Sequence, residues 1–446
     1  MPKSEHERGE WGSRLGFILA AAGSAIGLGN IWRFPYVAGE NGGGAFLVIY
    51  LVCVLLIGVP VMVAELTIGR FSRRNPVGAF EVIRPGSPWK IVGYLGVFTG
   101  ICILSYYTVM AGYTLGYIVK TLIGDRMPFE SFTANPILSL SLFAVFSILT
   151  VLVVQGGVKN GIERWAKILM PVLLFLLVVL IIRSVTLEGS SRGLSFYLKP
   201  DFSKVTGKTI LAALGQAFFS LSLGMGAMIT YGSYLSKKDN IVTSSGYVAL
   251  FDTLIAIMAG LLIFPALFSM NMSPSEGPGL VFKVLPVIFN TIPGGHLVGA
   301  SFFLLLSIAA LTSTISLLEV VTAYLVDEKH FLRRRAVWIV ALVCFCLGVP
   351  SALSQGIVPR LGRLPLVNMS FLGFMDWWFG NIMLAIGAVL ISIFFGWVWK
   401  TRRAAAEILE GYPGFERFAP ALDLLLKFFC PACIIVLLVF LFIGGE

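Results

Sequence analysis

The chain has 446 residues, of which 57% are hydrophobic and only 13% are charged. Soluble proteins carry about 25% charged residues, so this composition excludes an ordinary water-soluble fold and indicates that a lipid bilayer covers much of the surface. The formal net charge of +10 does not indicate nucleic-acid binding, because the basic residues form short clusters between long apolar segments and not a stripe interleaved with aromatic side chains.

Eleven segments are long and apolar enough to cross a bilayer, which requires about 20 predominantly apolar residues. An odd number of spans places the two termini on opposite sides of the membrane. Lys and Arg residues are concentrated in the segments that share a side with the N-terminus. The positive-inside rule therefore predicts a multi-pass protein of the cell membrane, plasma or inner, with a cytoplasmic N-terminus and an external C-terminus. In chain order, predicted spans 1 to 11 cover residues 11–35, 44–70, 90–120, 136–155, 164–185, 209–235, 241–270, 296–327, 336–350, 370–400 and 420–443.

Spans 1 and 6 are interrupted by glycine. Span 1 contains Gly23, Gly27 and Gly29 within seven residues, and span 6 has a similar pattern around Gly224 and Gly226. Each glycine costs a helix about 1 kcal/mol relative to alanine, which disfavours a continuous helix. Interrupted helices at matching positions of two halves are typical of transporters that bind substrate at the membrane midplane. Close helix packing through small residues is the alternative explanation.

The pattern predicts an all-α polytopic membrane protein with 11 transmembrane helices, an inverted 5+5 repeat and broken helices 1 and 6. The first repeat covers about 11–185, the second about 209–400, and an extra helix covers about 420–443. No polar connection is long enough to enclose a core of its own. Residues 1–446 are therefore predicted to form a single membrane transport domain.

Several ionisable residues lie inside the predicted spans. Each costs about 2.5–3.5 kcal/mol at a helix centre, so such groups are expected to face a cavity or a partner. The two that lie near the outer ends of their spans have the alternative of reaching the membrane interface; these are Arg33 and Asp376. The remaining three are Glu65, Asp252 and Glu319.

Hard oxygen donors lie in or near the interruptions. Such donors suit a weakly bound alkali cation, and an unwound helix offers amide groups to a carboxylate and carbonyl groups to cations. The residues alone thus predict a cation-coupled secondary transporter of a small zwitterion, which is not an enzyme. The side-chain donors are Asn30, Ser220, Asp252, Thr312 and Ser313.

Five short motifs resemble the neurotransmitter:sodium symporter family, specifically its bacterial, leucine-transporter-like amino-acid members. They are residues 11–16 (WGSRLG), 27–36 (GLGNIWRFPY), 40–46 (ENGGGAF), 216–222 (QAFFSLS) and 311–313 (LTS). The resemblance covers essentially the whole chain up to span 10. It implies sodium-coupled symport of hydrophobic L-amino acids, aliphatic to aromatic, by alternating access.

The resemblance implies two sodium sites. The first would use the substrate carboxylate together with Ala25, Asn30, Ser220 and Asp252. The second would combine backbone carbonyls and two hydroxyl groups from Gly23, Ile26, Ala309, Thr312 and Ser313.

The same resemblance implies a substrate site. The substrate carboxylate would meet the amides of Leu28 and Gly29 and the hydroxyl of Tyr107, and the ammonium would meet backbone carbonyls. Those carbonyls belong to Ala25, Phe219, Ser220 and Ser222. The side-chain pocket would be lined by Ile103, Tyr107, Phe219, Ser222, Met225, Ser313 and Leu317.

Gates and supporting residues follow from the same comparison. The implied outer gate is Arg33 with Asp376, where Tyr107 stacks on Phe219. The implied inner gate consists of Arg8, Asp327 and Trp11. Glu65 would cap amides freed by the breaks, and a Gly-x9-Pro element would let span 5 unwind; its two residues are Gly161 and Pro171.

At two positions this chain differs from particular members of the family, and these differences limit which substrates and which ions are expected. Amine-carrying relatives have an aspartate at the position of Gly27, which argues against amine substrates. Chloride-dependent relatives have asparagine at Asp252 and serine at Ala256, so this chain is expected to need no chloride.

Three other functions are alternatives to a sodium-coupled symporter: an intramembrane protease, a transporter driven in another way, and a sensor. An intramembrane aspartyl protease would need two carboxylates that share a proton, but Asp252 and Asp376 are predicted at different depths. A proton-driven or exchange transporter of the same architecture would typically lack the Thr312 and Ser313 pair, and a sensor would bind its ligand without flux.

Overall fold

The computed structural model describes residues 9–272 and 280–443. Every regular element within these two ranges is a helix. By length and composition, nine of these helices are able to cross a membrane, and a tenth span is the bent pair Arg14–Ala25 and Gly29–Glu40. The nine continuous spans are Gly44–Ser72, Lys90–Leu122, Pro136–Val154, Val158–Val185, Ile241–Ser269, Gly295–Lys329, Arg333–Leu353, Phe371–Gly411 and Ala419–Ile443.

The one remaining predicted span, span 6, is present as two shorter helices. They are Gly207–Ser220 and Ala227–Gly232, and the chain between them is not helical. Each is too short to cross a bilayer alone, but together they match the predicted segment. The prediction of an all-α polytopic fold with broken spans 1 and 6 is therefore confirmed.

Short helices connect the spans. One of them, Pro76–Ile83, begins where the side chain of Asn75 accepts hydrogen bonds from two backbone amides, a typical N-cap. The other connecting helices are Phe129–Thr133, Ser190–Leu198, Phe202–Lys204, Val284–Thr291, Pro359–Gly362 and Pro413–Arg417.

The two breaks have different backbone geometry. Span 1 leaves the helix at Ile26, whose φ of −73° and ψ of 109° are extended, and its two halves are bent by 51°. Span 6 contains three residues with positive φ, namely Ser222 (54°), Gly224 (87°) and Gly226 (78°). Glycine adopts a positive φ without steric cost, whereas a serine in this conformation is strained.

The two breaks are buried, since Ile26, Leu28, Leu221 and Leu223 are at most 2% exposed. In their most apolar stretches spans 3 and 8 are 83% and 89% buried, whereas spans 5 and 11 are each 28% buried. Spans 3 and 8 therefore form the interior against which the broken spans pack, and spans 5 and 11 form part of the surface that lipid covers.

Span 1 ends later than predicted, because its second helix continues to Glu40. The predicted end of span 10 at residue 400 coincides with an interruption at Lys400, whose φ is 70°, after which the helical segment continues as Thr401–Gly411. The extension of span 10 is held by an ion pair between Arg70 of span 2 and Glu407, whose side chains are 0% and 3% exposed. This tertiary contact compensates the polar residues that mark a span end in the sequence.

Candidate functional site

A cavity lies between the two breaks and spans 3, 8 and 10. Apolar side chains and two serine hydroxyls surround it, and two of its lining residues, Gly27 and Leu384, are absent from the predicted substrate site. The full lining consists of Ala25, Gly27, Gly29, Ile103, Tyr107, Phe219, Ser222, Met225, Ser313, Leu317 and Leu384.

Glycines allow side chains to approach the break in span 1 closely. A Cβ atom on Gly27 would lie 2.4 Å from Oγ of Ser313 and 2.6 Å from the hydroxyl of Tyr107. A Cβ atom on Gly29 would lie 2.9 Å from the ring of Phe219. Both positions therefore require glycine for these contacts.

The backbone amides at the break face polar partners. The Leu28 amide donates a hydrogen bond to the hydroxyl of Tyr107 at 2.8 Å. The hydroxyl of Ser222 donates to the carbonyl of Ser24 at 2.9 Å, which ties the break in span 6 to span 1. Tyr107 thus already lies beside the amide that is predicted to meet a carboxylate.

A fully buried polar cluster lies next to the cavity. Asn30 Nδ2 donates to Asp252 Oδ1 at 2.7 Å and to Ser220 Oγ at 3.0 Å, and Ser220 Oγ donates to Asp252 Oδ2 at 2.7 Å. All three residues are 0% exposed. The predicted side chains of the first sodium site are therefore together, on spans 1, 6 and 7. The amide nitrogen of Asn30 faces the carboxylate, and its oxygen accepts from the Gly27 amide at 3.1 Å.

A second group of oxygen atoms joins span 1 to span 8. Thr312 Oγ1 lies 2.9 Å from the Ala309 carbonyl and 3.4 Å from the Ile26 carbonyl. Ser313 Oγ lies 3.4 Å from the Ile26 carbonyl, and a Cβ atom on Gly23 would lie 3.2 Å from Cβ of Thr312. Within the described ranges no cluster of three or more His, Cys, Asp or Glu side chains offers a metal site. These neutral, hard oxygens suit a weakly bound monovalent cation.

The predicted outer ion pair is not direct in this structure. Arg33 donates to Asn381 Oδ1 at 2.6 Å, and Asp376 Oδ1 accepts from Tyr106 at 2.9 Å. The reason is the π-helical turn Asp376–Met383, because it places Asn381 where its amide nitrogen donates to the Asp376 carbonyl and its oxygen faces Arg33. Asn381 thus bridges the two predicted gate residues.

The aromatic part of the outer gate also differs from the prediction. The ring of Phe219 lies under Arg33, with 4.5 Å between the ring centroid and the guanidinium carbon. This is cation–π geometry. Tyr107, which is predicted to stack on Phe219, instead contacts the break in span 1 through its hydroxyl.

The predicted inner gate consists of Arg8, Trp11 and Asp327. Arg8 lies outside the described residues. Trp11 donates from its indole nitrogen to the Tyr231 carbonyl at 3.0 Å and packs edge-on against that ring. Asp327 Oδ2 accepts from the Asn75 amide at 2.9 Å. Trp11 thus fastens the start of span 1 to span 6, and Asp327 fastens the end of span 8 to the N-cap of the connecting helix Pro76–Ile83.

An acidic residue that sequence reasoning missed lies at the same end. Glu163, whose side chain is 3% exposed, accepts from the Gly12 amide at 2.6 Å, from Ser13 Oγ at 2.9 Å and from Lys167 at 2.6 Å. It links span 5 to the start of span 1. The sequence shows it only as one more charge at a predicted span end.

The remaining ionisable residues of the spans have polar partners. Glu65 Oε1 accepts from the Gly224 amide at 2.7 Å, within the break of span 6. Glu319 accepts from the hydroxyl of Tyr234 at 2.7 Å and pairs with Arg333 of span 9. These contacts agree with the expectation that a charge at this depth needs a partner.

The two residues of the Gly-x9-Pro element lie on either side of the start of the span 5 α-helix. Gly161 belongs to the π-helical turn Val158–Glu163, and a Cβ atom on it would lie 2.2 Å from the Val153 carbonyl. Pro171 lies inside the helix Arg164–Val185. A Cβ atom on Gly23 would lie 3.3 Å from the sulfur of Met170, the neighbour of Pro171, and 3.2 Å from Thr312, so this part of span 5 adjoins the second group of oxygen atoms.

Two further polar residues near the breaks were missed. The hydroxyl of Tyr50 donates to Asp252 Oδ2 at 3.1 Å, and Gln216 Nε2 donates to the Gly29 carbonyl at 2.8 Å. Tyr50 lies in a uniformly apolar span with no local signal. Gln216 is the first residue of a family motif, but that motif alone assigns it no role.

Comparison with known proteins supplies independent findings. The family model described as "Sodium:neurotransmitter symporter family" matches residues 8–139 and 127–444. An uncharacterized sodium-dependent transporter of Bacillus subtilis, YhdH, is 40% identical over 442 residues, which are 97% of each chain. A sodium- and chloride-dependent GABA transporter of Drosophila melanogaster is 25% identical over 92% of this chain and 48% of its own length.

A solved structure has the same fold. The crystal structure of MhsT in complex with L-phenylalanine matches with a TM-score of 0.88 and 46% sequence identity. The match covers 97% of this chain and 99% of that one.

Proposed function

This chain belongs to the sodium:neurotransmitter symporter family and is a sodium-dependent membrane transporter, not an enzyme; we propose that it carries hydrophobic L-amino acids, aliphatic to aromatic, without a requirement for chloride. The observation that carries the proposal is the cavity between the two breaks, whose lining combines residues of the broken segments with the apolar side chains of Ile103, Met225 and Leu317. Such a cavity suits a ligand with a charged end and an apolar end.

The apolar part of the cavity sets the proposed substrate class. Ile103, Met225 and Leu317 line it without any charged side chain. A methionine is unbranched and rotatable, and can accommodate side chains of different shape. The protein of similar structure binds L-phenylalanine, which supports the inclusion of aromatic substrates.

The break in span 1 supplies the proposed contacts for the charged end. The amides of Leu28 and Gly29 and the hydroxyl of Tyr107 would bind the carboxylate. The ammonium would bind carbonyls of Ala25 and the end of the first helix of span 6. With no carboxylate at Gly27, an amine without its own carboxylate would find no counter-charge.

Sodium is a co-transported substrate in this proposal, at two sites. The first lies among Asn30, Ser220 and Asp252 and includes the substrate carboxylate, so substrate and ion bind together. The second lies between Ile26 and the hydroxyls of Thr312 and Ser313. Its ligands come from spans 1 and 8, so an ion there would hold these spans together until it leaves.

Asp252 is the proposed reason for chloride independence. Two sodium ions and a zwitterion carry net positive charge into a poorly hydrated site, where an uncompensated charge costs several kcal/mol. The buried Asp252 carboxylate would supply the balance. Ala256, one turn along the same helix, is also fully buried, where chloride-dependent relatives are expected to have a serine.

Alternating access completes the proposal. Residues 1–446 would act as one transport domain with the N-terminus in the cytoplasm. Arg33, Asn381 and Asp376 would close the outer side, and Trp11 and Asp327 the inner side. Single hydrogen bonds of this kind contribute about 0.5–1.5 kcal/mol each, which suits contacts that must open in every cycle.

Uptake into proteoliposomes tests this function. We expect an inward sodium gradient to drive accumulation of labelled L-leucine, with competition by L-phenylalanine and L-tryptophan and weak competition by glycine. Uptake that is independent of sodium, or competition by alanine and glycine but not by the aromatic amino acids, would contradict the proposal.

Replacement of chloride by gluconate tests the role of Asp252. We expect uptake by the natural protein to be unaffected. The double variant Asp252→Asn with Ala256→Ser should become chloride-stimulated. A chloride requirement in the natural protein, or equal uptake by the double variant in gluconate, would show that Asp252 does not provide the balancing charge.

A further inference from the structure

One wall of the cavity comes from span 10. Leu384 is the lining residue that this span contributes among the described residues, and its side chain is buried, with 3% exposure. It follows directly after the π-helical turn Asp376–Met383 and begins the regular helix Leu384–Ile393. The position lies within a continuous apolar segment, which explains why the sequence does not single it out.

The backbone around Leu384 packs tightly against the break in span 6. A Cβ atom on Gly224 would lie 2.0 Å from the Leu384 carbonyl oxygen, and a Cβ atom on Gly387 would lie 2.0 Å from the Gly224 carbonyl oxygen. Two glycines thus allow direct backbone contact between span 10 and the segment that carries Met225. Leu384 is therefore held on a regular helix at a fixed distance from the break.

We propose that Leu384 is a specificity-determining residue that limits how large a substrate side chain the cavity accepts. The inference rests on the proposed function, since it concerns which hydrophobic amino acids the transporter prefers. Met225 lies between two glycines of positive φ and has a flexible side chain. Leu384 has a branched side chain on a helix whose backbone packs directly against the break in span 6. Met225 therefore adapts to the substrate, whereas Leu384 does not.

Two opposite substitutions test the inference. Leu384→Phe fills space at the wall, and Leu384→Ala opens it. The measurement is the concentration of L-tryptophan and of L-leucine that halves sodium-dependent binding of labelled L-leucine to the purified protein. The control is Leu390→Phe, a partly exposed position on the same helix that does not line the cavity. Sodium-dependent thermal stabilisation of each variant verifies that it is folded.

The expected result is a change of the tryptophan-to-leucine ratio in opposite directions. A group of one or a few methylenes in an apolar pocket discriminates about 10-fold or more. Leu384→Phe should weaken tryptophan relative to leucine by about that factor, and Leu384→Ala should weaken leucine relative to tryptophan. Leu390→Phe should leave the ratio unchanged.

Other results separate the inference from the proposed function. If the natural protein binds leucine with sodium but both Leu384 variants keep its ratio, or shift it in the same direction, the inference is wrong and the function stands. If the natural protein binds no hydrophobic amino acid, the proposed function is wrong and the inference falls with it. Should Leu384→Phe fail to fold, the ratio of Leu384→Ala decides alone.

Discussion

The two broken spans interrupt the helix in different ways. Span 1 changes direction between Ala25 and Gly29, and none of the three residues between them has a positive φ. Span 6 needs the six residues 221–226, three of which have a positive φ. The first break is short and ordinary in its backbone, whereas the second is long and relies on conformations that favour glycine.

This difference indicates a division of labour. The short break presents the Ile26 carbonyl and the Leu28 amide in directions that the flanking helices determine, which suits ligands of fixed geometry such as ions and a carboxylate. The long break contributes side chains to the cavity, Ser222 and Met225 among them. The unbranched side chain of Met225 can adjust to substrates of different size. The predictions below test this division.

The largest expected effect is that of Gly224→Ala. Alanine at a left-handed position costs about 1–2 kcal/mol, and the new Cβ atom would lie 2.0 Å from the Leu384 carbonyl, a backbone atom that has no room to move. Such overpacking costs about 1–3 kcal/mol more. We expect loss of sodium-driven uptake and a lower midpoint of thermal unfolding in detergent.

Gly23→Ala in span 1 is the matched variant. Its Cβ atom would lie 3.2 Å from Thr312 and 3.3 Å from the flexible side chain of Met170, at ordinary helical φ. We expect a folded protein with a smaller loss of uptake than Gly224→Ala shows. Equal damage by both substitutions would remove the distinction between the two breaks.

A second prediction concerns the carboxylate that supports the long break. Glu65→Ala leaves the Gly224 amide buried without its acceptor, which costs about 1–3 kcal/mol, whereas Glu65→Gln keeps an acceptor of the same shape. We expect a clear loss of thermal stability and faster hydrogen exchange at residues 221–226 in the alanine variant only. If both variants exchange like the natural protein, Glu65 does not hold the break.

The sequence predicts the features that the local backbone determines, but not the contacts that depend on tertiary packing. The glycine patterns in spans 1 and 6 predict both interruptions, because glycine acts on the local backbone. The family resemblance assigns a substrate contact to every cavity-lining residue except Gly27 and Leu384. The contacts of Tyr50 and Asn381 are not predictable in this way. Each lies in an apolar span, and tertiary packing or a π-helical turn brings it to its partner.

A third prediction concerns the route by which span 1 is released. Pro171→Ala restores the helix hydrogen bond that proline prevents, which makes unwinding of span 5 harder. One hydrogen bond contributes about 1 kcal/mol, equivalent to about fivefold in rate. We expect sodium-driven uptake to slow by roughly that factor, with sodium-dependent substrate binding unchanged.

Pro350→Ala is the control for that measurement. Pro350 also lies inside a helix, in span 9, which contributes no residue to the second group of oxygen atoms. It should leave the uptake rate unchanged. If Pro171→Ala transports at the natural rate, the proline is a static kink and span 5 does not open the inner side.

The smallest expected effect comes from Ser222, the one residue of the long break that has positive φ without being glycine. Ser222→Gly removes a backbone strain of about 1 kcal/mol and also a hydrogen bond of about 1 kcal/mol to the Ser24 carbonyl, so the two effects nearly cancel. Ser222→Ala removes the hydrogen bond and keeps the strain, and should lower thermal stability. A serine is therefore retained at a strained position because its hydroxyl connects the adaptable break to the fixed one. If both variants lose stability equally, the left-handed conformation carries no cost there, and the contrast between the two breaks rests on the glycines alone.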